Sequence, residues 1–183
     1  QVQIPRLERG TLAVPAIGRN GMVSTREKVA TQVGVNILKK GGNAVDAAVA
    51  VGFALSVTLS QSGNLAGGGF MVIHLAEQNK TITIDYREMA PAGATRDMFL
   101  DAEGEVDDDR SLFAHKAAAV PGTVAGLIHA LENYGTMSLQ QVMQPAYDLA
   151  LNGVDVYYYM EHALRIRKSR LEQNEEFAKV YFK

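Results

Sequence analysis

The chain has 183 residues, 47% of them hydrophobic and 21% charged, the size and balance of one soluble globular unit or of part of a larger one. Eighteen Lys and Arg against twenty Asp and Glu leave a net charge of -2, so no broad basic field exists to hold nucleic acid or anionic lipid. The lack of cysteine excludes disulfides, thiolate zinc sites and a cysteine nucleophile.

The opening residues carry Pro5, Gly10, Pro15 and Gly18 without a period and read as an extended arm leading to a short strand around Met22 and Val23. Gln1 to Gly10 lacks the apolar core of a signal peptide, so the expectation is that any signal has been removed. From Thr25, the residues Val29, Val33, Ile37 and Leu38 recur at helical spacing, and Lys39, Lys40 and Gly41-Gly42 close that helix. Asn43 with Asp46 three positions on is an N-cap followed by a first-turn carboxylate. The run it opens, Ala44 to Leu59, is apolar on every face and predicts a buried helix.

Ser60 to Gly69 holds four glycines and predicts a sharply turning loop or a close backbone approach. Phe70 to Ala76 and Thr81 to Arg87 then read as a β-hairpin across Glu77 to Lys80. In its second strand Ile82, Ile84 and Tyr86 point one way and Thr81, Thr83, Asp85 and Arg87 the other. The first strand, nearly all apolar, is expected to be covered on both faces. Met89 to Pro121 is a long irregular stretch, and its six acids between Asp101 and Asp109 read as a solvated loop. A calcium loop counted from Asp101 would need Gly and Glu where Val106 and Leu112 stand. Helices are predicted over Thr123 to Tyr134, closed by Gly135, and over Leu139 to Leu151, opened by Ser138 and kinked at Pro145. From Glu161 a last, charge-alternating helix carries Arg165, Arg167, Lys168 and Arg170 and reaches Lys183 without a cap, which suggests a continuation. With no repeat or linker, residues 1–183 are expected to be one unit.

The familiar site motifs fail one after another. His74, His115, His129 and His162 lie far apart with no metal-ligand spacing, and no metal or cofactor is expected. Gly67-Gly68-Gly69 follows a helix and precedes a strand, the reverse of a dinucleotide fingerprint, and no Gly-Lys-Ser/Thr follows it. Ser60-Gln61-Ser62-Gly63 lacks the first glycine of a nucleophile elbow. Arg87 remains, at the end of a strand with one polar face and flanked by Asp85 and Glu88. Its planar fork can take a carboxylate bidentately, and it can equally form a structural ion pair with either neighbour; the residues alone leave both open.

Four motifs in series bear on that choice: Gly41-Gly-Asn-Ala-Val-Asp-Ala-Ala-Val-Ala50, Asn64-Leu-Ala-Gly-Gly-Gly-Phe70, Asp85-Tyr-Arg-Glu-Met-Ala-Pro91 and Val120-Pro-Gly-Thr-Val-Ala-Gly126. In order and spacing the chain resembles the γ-glutamyltranspeptidase family (γ-glutamyltransferase, or glutathione hydrolase) over nearly its whole length, and corresponds to the N-terminal part of that family's large subunit. The resemblance implies an α+β fold, the αββα sandwich of N-terminal-nucleophile hydrolases, of which this chain is the N-terminal portion. It implies a precursor that cleaves itself into two subunits, and a γ-glutamyl small-molecule substrate such as glutathione. The nucleophile would be the new N-terminal Thr of the small subunit, with its own α-amine as general base. No threonine here sits in the family's cleavage motif, so no catalytic nucleophile is expected in this chain. Arg87 aligns with the family arginine that grips the donor α-carboxylate. Glu88 is expected to orient it, and Gly67, Gly68 and Gly69 to allow close backbone packing. The resemblance further implies an exported protein, periplasmic or extracellular. A cephalosporin acylase or poly-γ-glutamate depolymerase on the same scaffold, or a non-catalytic binding module, are the other readings.

Overall fold

A computed structural model describes residues 16–63 and 65–182, which leaves the arm through Pro15 and Asn64 outside the described residues. Helix α1 spans Lys28–Lys39, and its N-cap is Glu27. The Glu27 carboxylate accepts hydrogen bonds from the amides of Val29 and Ala30, both at 2.8 Å. Gly41, at a φ of 91°, ends the helix: its amide donates to Leu38 O and that of Gly42 to Ile37 O. The strand expected around Met22 and Val23 does not form. Val23 instead packs on α1, where a Cβ on Gly34 would lie 2.8 Å from its Cγ1, so side-chain packing replaces a ladder.

Helix α2, Ala44–Thr58, buries nine of its fifteen residues, as an all-round apolar helix must. At its start Asn43 Oδ1 accepts from the Val45 and Asp46 amides at 2.8 and 2.9 Å, while Asp46 Oδ2 accepts from the Asn43 amide at 2.7 Å. The carboxylate half of this capping box is inside the fold, with Asp46 at 0% exposure, while Asn43 is half-buried.

Strands β1, Phe70–Leu75, and β2, Lys80–Asp85, pair antiparallel with Met71 opposite Ile84 and Ile73 opposite Ile82. Ile73 joins the core formed with α1 and α2, and Met71 and Ile84 pack against it. The expectation that β1 is covered on both faces is not met: Phe70 and Val72 are 64% and 69% exposed. Side chains alternate along a strand, and among the described residues nothing packs on that second face.

The acidic stretch organises itself locally. Asp101 Oδ1 accepts from the Glu103 and Glu105 amides, and Asp107 caps a short helix, α3, Asp108–Leu112. Helix α4, Thr123–Tyr134, and helix α5, Leu139–Asn152, which runs through Pro145, pack Leu127, Leu131, Val142 and Ala146 into the core. Each of these Leu and Val side chains, fully withdrawn from water, contributes about 1.5–3 kcal/mol at most. The tail forms three short helices rather than one: α6, Tyr158–Ile166, α7, Lys168–Leu171, and α8, Glu175–Tyr181. The breaks fall at Arg167, which leaves helical geometry with φ −111° and ψ 6°, and at Asn174, whose side chain caps α8. Among the described residues no helix is long and apolar enough to cross a membrane.

Candidate functional site

The ladder between β1 and β2 ends at the pair Phe70 and Asp85, yet backbone pairing continues one step: the Tyr86 amide donates to Gly69 O at 3.0 Å and the Gly69 amide to Tyr86 O at 3.3 Å. Three residues on from Tyr86, Met89 and Val120 exchange both of their backbone hydrogen bonds, at 3.2 and 2.8 Å. Gly67 O closes the frame by accepting from the amides of Gly122 and Thr123 at the start of α4, at 2.9 and 3.0 Å. The segment from Tyr86 to Met89 is thus held between the glycine loop and the entry to α4, and Arg87 lies in its middle.

Only glycine fits this frame. A Cβ on Gly68 would lie 2.6 Å from both the Glu88 nitrogen and the Tyr86 oxygen, one on Gly122 would overlap the Tyr86 carbonyl, and one on Gly126 would overlap the Tyr86 ring. Real Cβ contacts are not that short, so each substitution would push α4 or the loop off the strand. Gly68 and Gly69 stand where a Cβ would collide with Tyr86 and Glu88, whereas Gly67 contributes through its carbonyl.

Arg87 itself points outward. Its amide donates to Asp85 Oδ1 at 2.9 Å, and its guanidinium Nε lies 3.1 Å from Glu88 Oε2. Of the two partners left open by the sequence, Glu88 takes the ion pair and Asp85 takes the backbone. With the Arg87 side chain 68% exposed and that of Glu88 28%, the pair contributes at most about 1 kcal/mol, too little to explain the residue as a structural strut. The pair uses Nε; among the described residues the outer pair of guanidinium nitrogens makes no hydrogen bond and is free to meet a carboxylate. By strand alternation Arg87 emerges on the side of exposed Phe70 and Val72, whereas Tyr86 turns inward under α4, where burial pushes its hydroxyl pKa up.

The histidines do not converge. His74 contacts Thr81 across the hairpin, His129 contacts Asn133 and His162 contacts Arg165. Among the described residues no three His, Asp or Glu side chains come together as a metal site would require. Tyr86, Gly122 and Gly126 were not picked out as site residues from sequence, although two of the four motifs contain them; the i, i+4 spacing of the two glycines at the start of a helix was the available signal.

With this geometry in place, comparison with known proteins decides the family. The profile of the family described as Gamma-glutamyltranspeptidase matches residues 30–183. The chain belongs to this family. It is 53% identical over 168 residues to the glutathione hydrolase proenzyme of Escherichia coli (strain K12), covering 92% of this chain and 29% of that protein. The Acylase ACY 1 proenzyme of Pseudomonas sp. (strain V22) is 38% identical, over 89% of this chain and 30% of its own length. Among solved structures, the γ-glutamyltranspeptidase of Helicobacter pylori superposes with a TM-score of 0.88 at 40% identity, over 93% of this chain and 48% of that one. The chain therefore spans less than a third of the length of these curated relatives. Its mixed helices and sheet form part of the N-terminal-nucleophile hydrolase fold of its structural neighbours, the class implied by the resemblance.

Proposed function

We propose that this chain is the N-terminal segment of the large subunit of a γ-glutamyltransferase (glutathione hydrolase), and that Arg87 holds the α-carboxylate of the γ-glutamyl donor. The observation that carries the reading is an exposed guanidinium on a strand end fixed by backbone pairing on two sides, weakly tethered by Glu88 and with its outer nitrogens free among the described residues. Arg87 touches none of the reacting atoms; it places them. The Thr hydroxyl of a small subunit cut from the same precursor attacks the γ-carbonyl carbon, passing its proton to its own α-amine. The C–N bond breaks, that proton leaves with the departing amine, and water or an acceptor amine then takes the acyl group from the ester. Fixing the α-carboxylate presents the γ-carbonyl at a constant distance from that hydroxyl. On this reading the complete protein is exported, periplasmic or extracellular, which fractionation of the source cells tests.

The experiment compares a γ-glutamyl donor with the same donor amidated at its α-carboxylate, using the complete precursor. Arg87→Ala removes two charge-assisted hydrogen bonds of roughly 1.5–3 kcal/mol each; with non-additivity, a loss of about 3–4 kcal/mol corresponds to two to three decades in donor kcat/KM. Self-cleavage survives, and Arg87→Lys, which keeps the charge but not the fork, falls between. The acylase relative motivates one second reading, cleavage of an acyl group without an α-carboxylate. If the wild type shows no preference for the free α-carboxylate, that reading replaces the clamp; if Arg87→Ala leaves such a preference intact, Arg87 is not the clamp.

A further inference from the structure

The segment after β2 poses a mechanical problem. Arg87 is the acting group, yet its own amide is tied to a side chain two residues back rather than to a neighbouring strand, and its ion pair to Glu88 is solvent-screened. Something else must set the twist of the backbone at this point. A rotation of about 10° about the strand axis, carried through a side chain about 6 Å long, moves the guanidinium by about 1 Å, an error that can cost on the order of a hundredfold in rate.

Tyr86 is placed to prevent that rotation. It and Gly69 form a pair that exchanges both backbone hydrogen bonds, and its ring lies over the side-chain-free surface of that glycine. A Cβ on Gly69 would meet the far edge of the ring, 2.9 Å from Cε2 and 3.1 Å from Cζ and the hydroxyl oxygen. From the other side Gly126 of α4 lies so close that a Cβ there would overlap Cγ and Cβ of the same residue. The ring is therefore a plate clamped between a strand and a helix, the arrangement in which an aromatic side chain covers a cross-strand glycine. Because consecutive side chains leave a strand on opposite faces, fixing the Tyr86 ring inward fixes the direction in which Arg87 leaves outward.

We infer that Tyr86, clamped between Gly69 and Gly126, is a positioning residue that sets the Arg87 guanidinium for the donor carboxylate; this rests on the reading of Arg87 as the carboxylate clamp. The ring, and not the hydroxyl, performs this role. Gly69→Ala tilts the plate by pressing on its tip, and Tyr86→Leu removes the tip atoms that the new methyl would press.

The test uses the complete, self-cleaved enzyme and reads the ratio of kcat/KM for a donor with a free α-carboxylate to that for the same donor amidated. Tyr86→Leu and Gly69→Ala each lower this ratio by roughly tenfold or more, chiefly through KM, because they misplace a binding group and leave the nucleophile untouched. Tyr86→Phe retains the wild-type ratio. The double variant Gly69→Ala with Tyr86→Leu is no worse than Tyr86→Leu alone, since the two act on one contact. Should Tyr86→Leu fail to yield processed enzyme, Gly69→Ala carries the comparison. The inference is overturned if Tyr86→Leu, or in its absence Gly69→Ala, keeps the wild-type ratio while Arg87→Ala loses it, or if Tyr86→Phe falls as far as Tyr86→Leu. An Arg87→Ala variant with an unchanged ratio refutes the clamp itself, and the positioning role with it.

Discussion

Asp46 should carry more stability than any other polar residue described in the chain. Its carboxylate is inaccessible to water and accepts four hydrogen bonds: from the Asn43 amide at 2.7 Å, the Thr136 amide at 2.8 Å, the Thr136 hydroxyl at 2.6 Å and the Met137 amide at 3.0 Å. Three of the four come from the turn between α4 and α5, and Asn43 Nδ2 adds a bond to Tyr134 O at 2.7 Å, so one capping box pins two distant stretches of chain together. Truncation to Ala strands four donors at about 1–3 kcal/mol each; allowing for those that regain water, the expected loss is about 3–5 kcal/mol, the range for breaking a buried charged network. At about 2–4 °C per kcal/mol for a unit of this size, the melting temperature falls by roughly 10–15 °C. Asp46→Asn keeps the shape but turns one acceptor into a donor facing donors, and should lose a comparable amount. Burial alone would raise the Asp46 pKa, but the hydrogen bonds from the Thr136 hydroxyl and the Met137, Asn43 and Thr136 amides outweigh it and hold the pKa below the ordinary aspartate range. A depressed folded-state pKa stabilises above the unfolded value of about 3.9 and stops doing so as pH falls through the folded value. The gap between wild type and Asp46→Asn therefore narrows below about pH 4. Glu27, also held low because the Val29 and Ala30 amide bonds outweigh its burial, is common to both proteins and cancels in the difference. Calorimetry or circular dichroism melts from pH 7 to 3 measure this. A variant melting within 2 °C of wild type at pH 7, or a gap independent of pH, refutes the reasoning.

Three further outcomes follow from the same geometry. The 183-residue chain purified alone releases no product from a γ-glutamyl anilide above a buffer blank, because the proposed nucleophile is not among its residues. Gly122→Ala, whose methyl would overlap the Tyr86 carbonyl, lowers stability by several kcal/mol and shows as lost soluble yield or a depressed melt, whereas Gly93→Ala, with open space around it, changes neither. Phe70→Ser, on the open face of the hairpin, reduces self-association of the isolated chain on sizing columns without lowering its melting temperature, since that ring is 64% exposed.

Elements with a local cause were legible in the sequence. The cap at Asn43, the apolar run of α2, the hairpin alternation and the opening of α5 by Ser138 each depend on residues within a few positions of one another, and the structure has them where the pattern puts them. What was not legible depends on partners distant in the chain. Met22 and Val23 have strand composition, but Val23 meets a helix, so packing replaces a ladder. Phe70 and Val72 have the composition of a doubly covered strand, yet composition cannot say whether the covering layer lies in the same 183 residues. The tail has a continuous helical charge pattern, but at Asn174 a side-chain cap, a local competitor to helix propagation, restarts the backbone.

The site shows the same division more sharply. Arg87 could be singled out from sequence because a charged group on a strand end has few reasons to be there, but its two candidate roles could not be separated without exposure and distance. The residues that decide its position are glycines, and a glycine motif states only that something comes close, never what. Here the something is shared: Gly68, Gly69, Gly122 and Gly126, contributed by two motifs some fifty residues apart, would all collide with the backbone or side chains of Tyr86 and Glu88 if they bore a Cβ. Each motif alone reads as a turn or a helix start. Only their common contact with the Tyr86-Arg87-Glu88 strand explains why both are needed, and it places the demand for small residues on the side of the strand opposite to the one from which Arg87 projects. Glycine is the residue that lets a loop and a helix come close enough to press the Tyr86-Arg87-Glu88 strand from behind, on the face away from the Arg87 side chain.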